Sequence, residues 1–156
     1  MVAPSVRVTS SEGLEFIRQL TLLERTLSKR LSEVLEAHGT TIEQWRVLSL
    51  LAADNAGRPM NTIADYIMAP APTLTKVVDR MVSAGLVFRR PDDVDRRRVL
   101  VYASKRGLAV LSEWDAAATR ETDDFAAAAG IGEIARLRET LTLMTERLGL
   151  HAADDA

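Results

Sequence analysis

A mainly α-helical fold with one small β-hairpin is predicted by three features of the 156-residue sequence. Apolar residues recur at three- and four-residue spacing through most of the chain, the pattern of amphipathic helices. Capping residues, prolines and glycines cut that pattern into helix-sized segments. One interval, residues 86–102, changes instead to short β-branched runs on either side of a polar stretch.

The elements follow in order. Thr9 and Glu12 are spaced as a capping box. Behind them run Phe16, Leu20, Leu23, Leu27, Leu31 and Val34, widened by Leu14, Ile17 and Leu35, which predicts a long helix over 11–37 stopped by Gly39. Thr41 and Gln44 form a second capping box. It opens a helix with Trp45, Leu48 and Leu51 on its buried side, ending before Gly57, and Arg58-Pro59 reads as a turn. Asn61 is expected to cap a short helix with Ile63, Ala64 and Ile67 inside. Pro70 and Pro72 hold the residues before them extended, so after a turn at 68–71 the next helix starts at Pro72. It runs to about Ala84, before Gly85, with Leu74, Val77, Val78 and Met81 inward and Thr73, Thr75, Lys76 and Arg80 outward.

Residues 86–90 and 99–102 then pair as a hairpin with a charged tip. Ser104 caps a long helix reaching Ala129, and residues 130–132 make a turn. The last helix carries Ile134, Leu137, Leu141, Met144 and Leu148 at the alternating spacing of a helix-pairing seam. Residues 151–156 are expected to be a flexible tail. The chain therefore divides into a helical region made of 11–40 and 105–150 together, and a compact unit over 41–104.

Composition excludes several function classes. With no cysteine there is no disulfide framework, thiolate metal site or thiol redox switch. His38 and His151 are the only histidines and no grouped carboxylates accompany them, so no metal and no cofactor are expected. No apolar run approaches ~18 residues, so no membrane span is expected, and residues 1–9 lack the apolar core of a secretory signal. A cytoplasmic protein is the resulting expectation. There is no Gly-rich phosphate loop and no nucleophile elbow, so no enzyme is expected either.

The net charge of −2 conceals an asymmetry. Residues 76–106 hold nine basic residues against four acidic ones, a local +5, while the remaining 11 basic and 18 acidic residues leave −7. A basic block on an acidic chain suits a polyanion site. It overlaps the second of two short helices and the hairpin, and these with the sharp turn between the helices describe a winged helix-turn-helix. The second of those helices fits a major groove, so Thr73, Thr75 and Lys76 become candidate base readers. Arg89 and Arg90 lie at the hairpin base, where phosphates would be met. Asp95, Arg96, Arg97 and Arg98 form the hairpin tip, whose arginines can reach the adjacent minor groove. Asp79 and Arg80 are candidates to pair with each other's neighbours or with the wing rather than with DNA, and Arg80 stands evenly between a structural ion pair and a phosphate contact.

Three blocks then resemble the MarR family of bacterial regulators. They are His38-Gly-Thr-Thr-Ile-Glu-Gln-Trp-Arg-Val-Leu48, Thr73-Leu-Thr-Lys-Val-Val-Asp-Arg-Met-Val-Ser-Ala-Gly-Leu-Val87 and Asp92-Asp-Val-Asp-Arg-Arg-Arg-Val-Leu-Val-Tyr-Ala-Ser104. The resemblance implies a winged-helix homodimer whose first and last helices interlace as a dimerisation domain. It also implies that the wing aspartate, Asp95, partners a neighbouring arginine while another arginine enters the minor groove; which of Arg96 and Arg97 does which is left open. The chain departs from the family pattern at Met68-Ala-Pro-Ala-Pro72, which lacks the usual serine near the start of the recognition helix, and at Ala103-Ser104, which replaces the commoner Leu-Thr.

The expected function is a ligand-responsive homodimeric repressor that binds an inverted-repeat operator in double-stranded DNA. The alternative is a winged-helix protein-interaction module with vestigial DNA binding. For an aromatic or carboxylate-bearing small-molecule effector, Arg18, His38, Trp45, Arg46 and Trp114 are the candidates, with core packing as the competing reading of both tryptophans.

Overall fold

A computed structural model describes residues 10–54 and 56–149. The order is α1 (Ser10–Ala37), α2 (Ile42–Ala52), β1 (Arg58–Pro59), α3 (Met60–Ile67), α4 (Ala71–Ser83), β2 (Val87–Pro91), β3 (Val99–Ala103), α5 (Lys105–Ala129) and α6 (Ile131–Arg147). The predicted mainly helical fold with a small wing is what is observed. Thr9 of the first capping box and the 151–156 tail lie outside the described residues.

Local chemistry sets most boundaries. Gly39 follows α1 at φ +73, a left-handed conformation that a Cβ would disfavour. The Thr41–Gln44 capping box is present in both directions. Ser104 Oγ accepts from Gly107 N–H at 2.9 Å, starting α5 where its sequence predicts. Gly85, at φ +68, turns the chain from α4 into the wing.

Four local readings are corrected. Arg58 and Pro59 are a short edge strand rather than a turn, pairing with Val101 and Leu100 of β3 in a sheet ordered β1-β3-β2. Proline is tolerated there because its missing N–H falls on the sheet edge. Asn61 does not cap α3: the N-cap is Pro59, with no side-chain hydrogen bond, and Asn61 lies inside the first turn. Helix α4 begins at Ala71, one residue earlier than Pro72, because Pro70 carbonyl accepts from Thr73 and Leu74 N–H and so draws Ala71 into the first turn. Residues 130–132 are not a three-residue turn; Gly130 alone breaks the chain and α6 starts at Ile131.

One core serves the compact unit. Val47, Leu48 and Leu51 of α2, Ile63 of α3, Leu74, Val78 and Met81 of α4 and Val101 of β3 are all fully enclosed. Leu31 and Leu35 from the end of α1, with Leu111 and Trp114 from α5, join the same cluster, so the winged unit is fused to the helical frame. The frame itself is underpacked. α6 contains no buried residue, and Leu14, Phe16, Ile17 and Leu22 on α1 are exposed.

Candidate nucleic-acid interface

The interface is built from α4 and the β2–β3 wing. The period of α4 turns Leu74, Val78 and Met81 into the core and leaves Thr73, Lys76 and Arg80 in a row on the exposed side. Thr75 and Asp79, four residues apart, form an adjacent exposed row. The Thr75 hydroxyl donates to Ala71 carbonyl at 2.9 Å. Its methyl and its oxygen lone pairs remain outside, so it can meet a thymine methyl or accept from a base amino group, but not donate. No side chain caps the start of α4, consistent with the missing serine.

The turn before α4 is tight. Met68 sits at φ 54, the one positive φ outside glycine among the described residues, with its side chain 91% exposed. Its N–H bonds Asp65 carbonyl and the next N–H bonds Ala64 carbonyl, which closes α3 and points the chain into the recognition helix.

The wing tip is organised by two aspartates. Asp92 Oδ1 accepts from Val94 N–H at 2.9 Å, and Asp95 Oδ1 accepts from Arg97 N–H at 3.0 Å. Arg98 N–H reaches Asp95 carbonyl at 2.8 Å, and Asp92 N–H reaches Arg98 carbonyl at 3.0 Å. Asp95 therefore holds the wing through backbone N–H groups. Arg96, Arg97 and Arg98 are exposed and form no ion pair among the described residues, nor do Lys76 and Arg80.

Arg89 and Arg90 differ from them. Arg89 Nη2 lies 2.8 Å from Asp79 Oδ1, tying β2 to the recognition helix, whereas Arg90 approaches Asp93 at only 3.9 Å on the open surface. The sequence offers Asp79 as a pairing candidate for its neighbours or the wing, and the structure gives it Arg89 of β2. Gly107 was missed. It sits against Leu86 carbonyl at the joint between recognition helix and wing, where Ser104 N–H and Oγ bond the carbonyls of Leu86 and Gly85.

The effector candidates fall in separate places. Trp45 Nε1 donates to Asp115 Oδ1 at 2.8 Å, joining α2 to α5, and Trp114 is buried at the same junction. Arg46 is half-buried on α2. His38, at the end of α1, bonds Val34 carbonyl and lines an open groove with Ala117, Arg120 and Asp124 of α5. Arg18 pairs with Glu15 in the first half of α1, about 30 Å along that helix from His38.

The match to known proteins follows this geometry. The model of the MarR family matches residues 38–98, from the end of α1 through the wing tip. The transcriptional regulator MhqR of Bacillus subtilis is 24% identical across 92% of this chain and 95% of its own length. The winged-helix segment, residues 38–98, is that of the MarR family. The chain is a transcriptional regulator similar to members of that family. BadR of Rhodopseudomonas palustris, a transcriptional activatory protein, is 36% identical over 52% of this chain, which spans about half of that relative (47%). The fold superimposes on an Escherichia coli MarR mutant complexed with operator DNA, with a TM-score of 0.73, 22% identity and coverage of 85% of this chain and 95% of that one. Among the described residues no helix is long and apolar enough to cross a membrane.

Proposed function

We propose that this protein is a homodimeric, ligand-responsive repressor of the MarR family that reads an inverted-repeat operator, acting in the cytoplasm and carrying no catalytic activity. One observation carries the DNA reading. Thr73, Lys76 and Arg80 stand side by side on the exposed row of α4, flanked by a wing whose three tip arginines form no ion pair among the described residues. Cations held in fixed backbone geometry without internal acid partners are what phosphates require. Thr73, Thr75 and Lys76 take the base-reading role in this proposal. Arg80, Arg90, Arg96, Arg97 and Arg98 take backbone or minor-groove contacts, with Asp95 shaping the loop that carries the last three.

The underpacked frame supports the homodimer. Leu20, Leu23 and Leu27 of α1 face Ile134, Leu137 and Leu141 of α6 across an open apolar groove, and a two-fold partner would cover both rims. In this reading residues 11–40 and 105–150 form the dimerisation region and 41–104 the DNA-binding unit. Two recognition helices about one helical turn (~10 bp) apart would then read a palindrome. Occupancy there blocks a promoter it overlaps; the direction of control depends on where the operator lies.

The effector part of the reading centres on the α2–α5 junction. Trp45 and Trp114 lie there, with Arg46 half-buried on the same helix α2 and His38 at the end of α1, and an aromatic or carboxylate-bearing molecule would press on the contact joining reading unit to frame. A change in that contact alters the spacing of the two helices, and DNA and ligand then weaken one another equally.

The test is selection from a random duplex pool, followed by affinity measurements across salt. An enriched inverted repeat and a steep salt dependence are expected. Failure to bind duplex at low salt overturns the proposal in favour of a protein-interaction module. Truncation after Gly132 should yield a monomer by light scattering; a stable dimer would contradict the assigned interface.

A further inference from the structure

Within residues 76–106 the ion-paired cation closest to its acid is Arg89, and it contacts the recognition helix itself. Asp79 lies one turn beyond Thr75 and Lys76 on the exposed side of α4, so an ionised carboxylate there would face the phosphates met by its neighbours. Arg89 reaches it from β2. In the sheet, Arg89 stands in register with Val101, which is fully buried, and Val101 in turn with Arg58 of β1, so this row is on the side of the sheet turned toward the helices. The guanidinium is about one third exposed and the carboxylate about half. Lys76, Arg80 and the tip arginines, by contrast, form no ion pair among the described residues.

We infer that Asp79 is a positioning residue that withholds Arg89 from the DNA backbone. The pair presents a neutral patch between recognition helix and wing, and it fixes the angle between these two reading elements. The consequence is a limit on indiscriminate affinity. Each protomer gives up one phosphate contact, which lowers binding to any sequence alike and leaves discrimination to the base-reading side chains. This inference rests on the DNA-binding proposal above.

The experiment uses the full chain and a mixed-sequence 30-base-pair duplex. Affinity is measured by fluorescence anisotropy from 50 to 200 mM NaCl. Asp79→Asn is expected to bind more tightly at 50 mM and to steepen the logarithmic salt slope by about one per protomer. For a dimer, the ratio of affinities between the two salt concentrations then grows about tenfold. Asp79→Glu, which keeps the charge within reach of Arg89, should return the slope to the original value. A spectroscopic readout separates release of Arg89 from a simple gain in net charge. The Arg89 Nε–H resonance, assigned by its disappearance in Arg89→Lys, should be unmoved by duplex in the unaltered protein and should shift in Asp79→Asn.

An Arg89 resonance that already shifts with duplex in the unaltered protein overturns the inference, because the arginine then touches phosphate despite its partner. So does an unchanged slope, or weaker binding, in Asp79→Asn. A flat salt response of the unaltered protein is a different failure: it removes the DNA-binding proposal itself.

Discussion

Replacing Gly107 by alanine should destabilise the protein, although the same change in an ordinary helix interior stabilises it. Gly107 lies on the third residue of α5, and alanine there gains about 0.8–1 kcal/mol of helix propensity. The added Cβ, however, would fall closer than 3.0 Å to the backbone oxygen of Leu86 and 3.1 Å from Leu48 Cδ2. The first neighbour is backbone and the second is fully buried, so neither has a free rotamer to give. α5 must move off the wing joint by on the order of 1 Å to restore van der Waals distance. That movement strains the hydrogen bonds from Ser104 N–H to Leu86 carbonyl, 2.9 Å, and from Ser104 Oγ to Gly85 carbonyl, 2.7 Å. Overpacking costs about 1–3 kcal/mol, and a clash this close with a backbone oxygen falls in the upper part of that range, about 2–3 kcal/mol, which leaves a net loss of about 1–2 kcal/mol. In thermal unfolding this is a fall of roughly 2–8 °C for a chain of this size. Because the strain falls on the joint between recognition helix and wing, duplex affinity should fall as well. A melting temperature equal to or above that of the unaltered protein would refute the close packing of α5 on Leu86.

Other perturbations report on neighbouring parts. Ser104→Ala removes both the N-cap of α5 and the bond to Gly85 carbonyl, so a loss of about 1–2 kcal/mol is expected in urea unfolding; less than 0.5 kcal/mol would discount the cap. Trp45→Phe deletes the indole donor to Asp115 and leaves Trp114, 4% exposed, as the sole tryptophan. Its fluorescence should report an apolar setting and resist aqueous quenchers, with stability reduced by about 1 kcal/mol; ready quenching would contradict the burial. Lys76→Ala should change preference among operator variants by about 1–3 kcal/mol, measured by competition, whereas uniform weakening would reassign Lys76 to the backbone. Arg97→Ala should weaken binding to all sequences and lower the salt slope by about one per protomer, and an unaffected slope would remove it from the interface.

Much of the fold was legible because its signals are local. The Thr41–Gln44 box, the Ser104 cap, Gly39 and Gly85 each act within a few residues of themselves, and each lies where its residue type predicts. The inward rows of α3 and α4 follow from helical period alone. Errors fell where a partner distant in sequence decides. A two-residue strand at Arg58 and Pro59 carries no periodicity, and it exists only because Val101 and Leu100, some forty residues later, offer it a sheet edge. Asn61 has a capping side chain, but the sheet bond draws the start of α3 back to Met60 and places Asn61 within the turn.

The same division holds for the candidate interface. By itself the sequence determined which residues form the basic block, that Thr73, Lys76 and Arg80 share a helix face, and that a charged hairpin follows. Each is a consequence of residue type and period, which need no tertiary partner. Tertiary structure decided how those charges are used. It placed Asp79 against Arg89, gave Asp95 to a backbone N–H, and set Gly107 against the Leu86 carbonyl. It also separated Arg18 from the junction of Trp45 and Trp114 within the chain. Exposed charges are screened from one another beyond about 10 Å, so composition can count opposite charges but only the packed chain determines which of them meet.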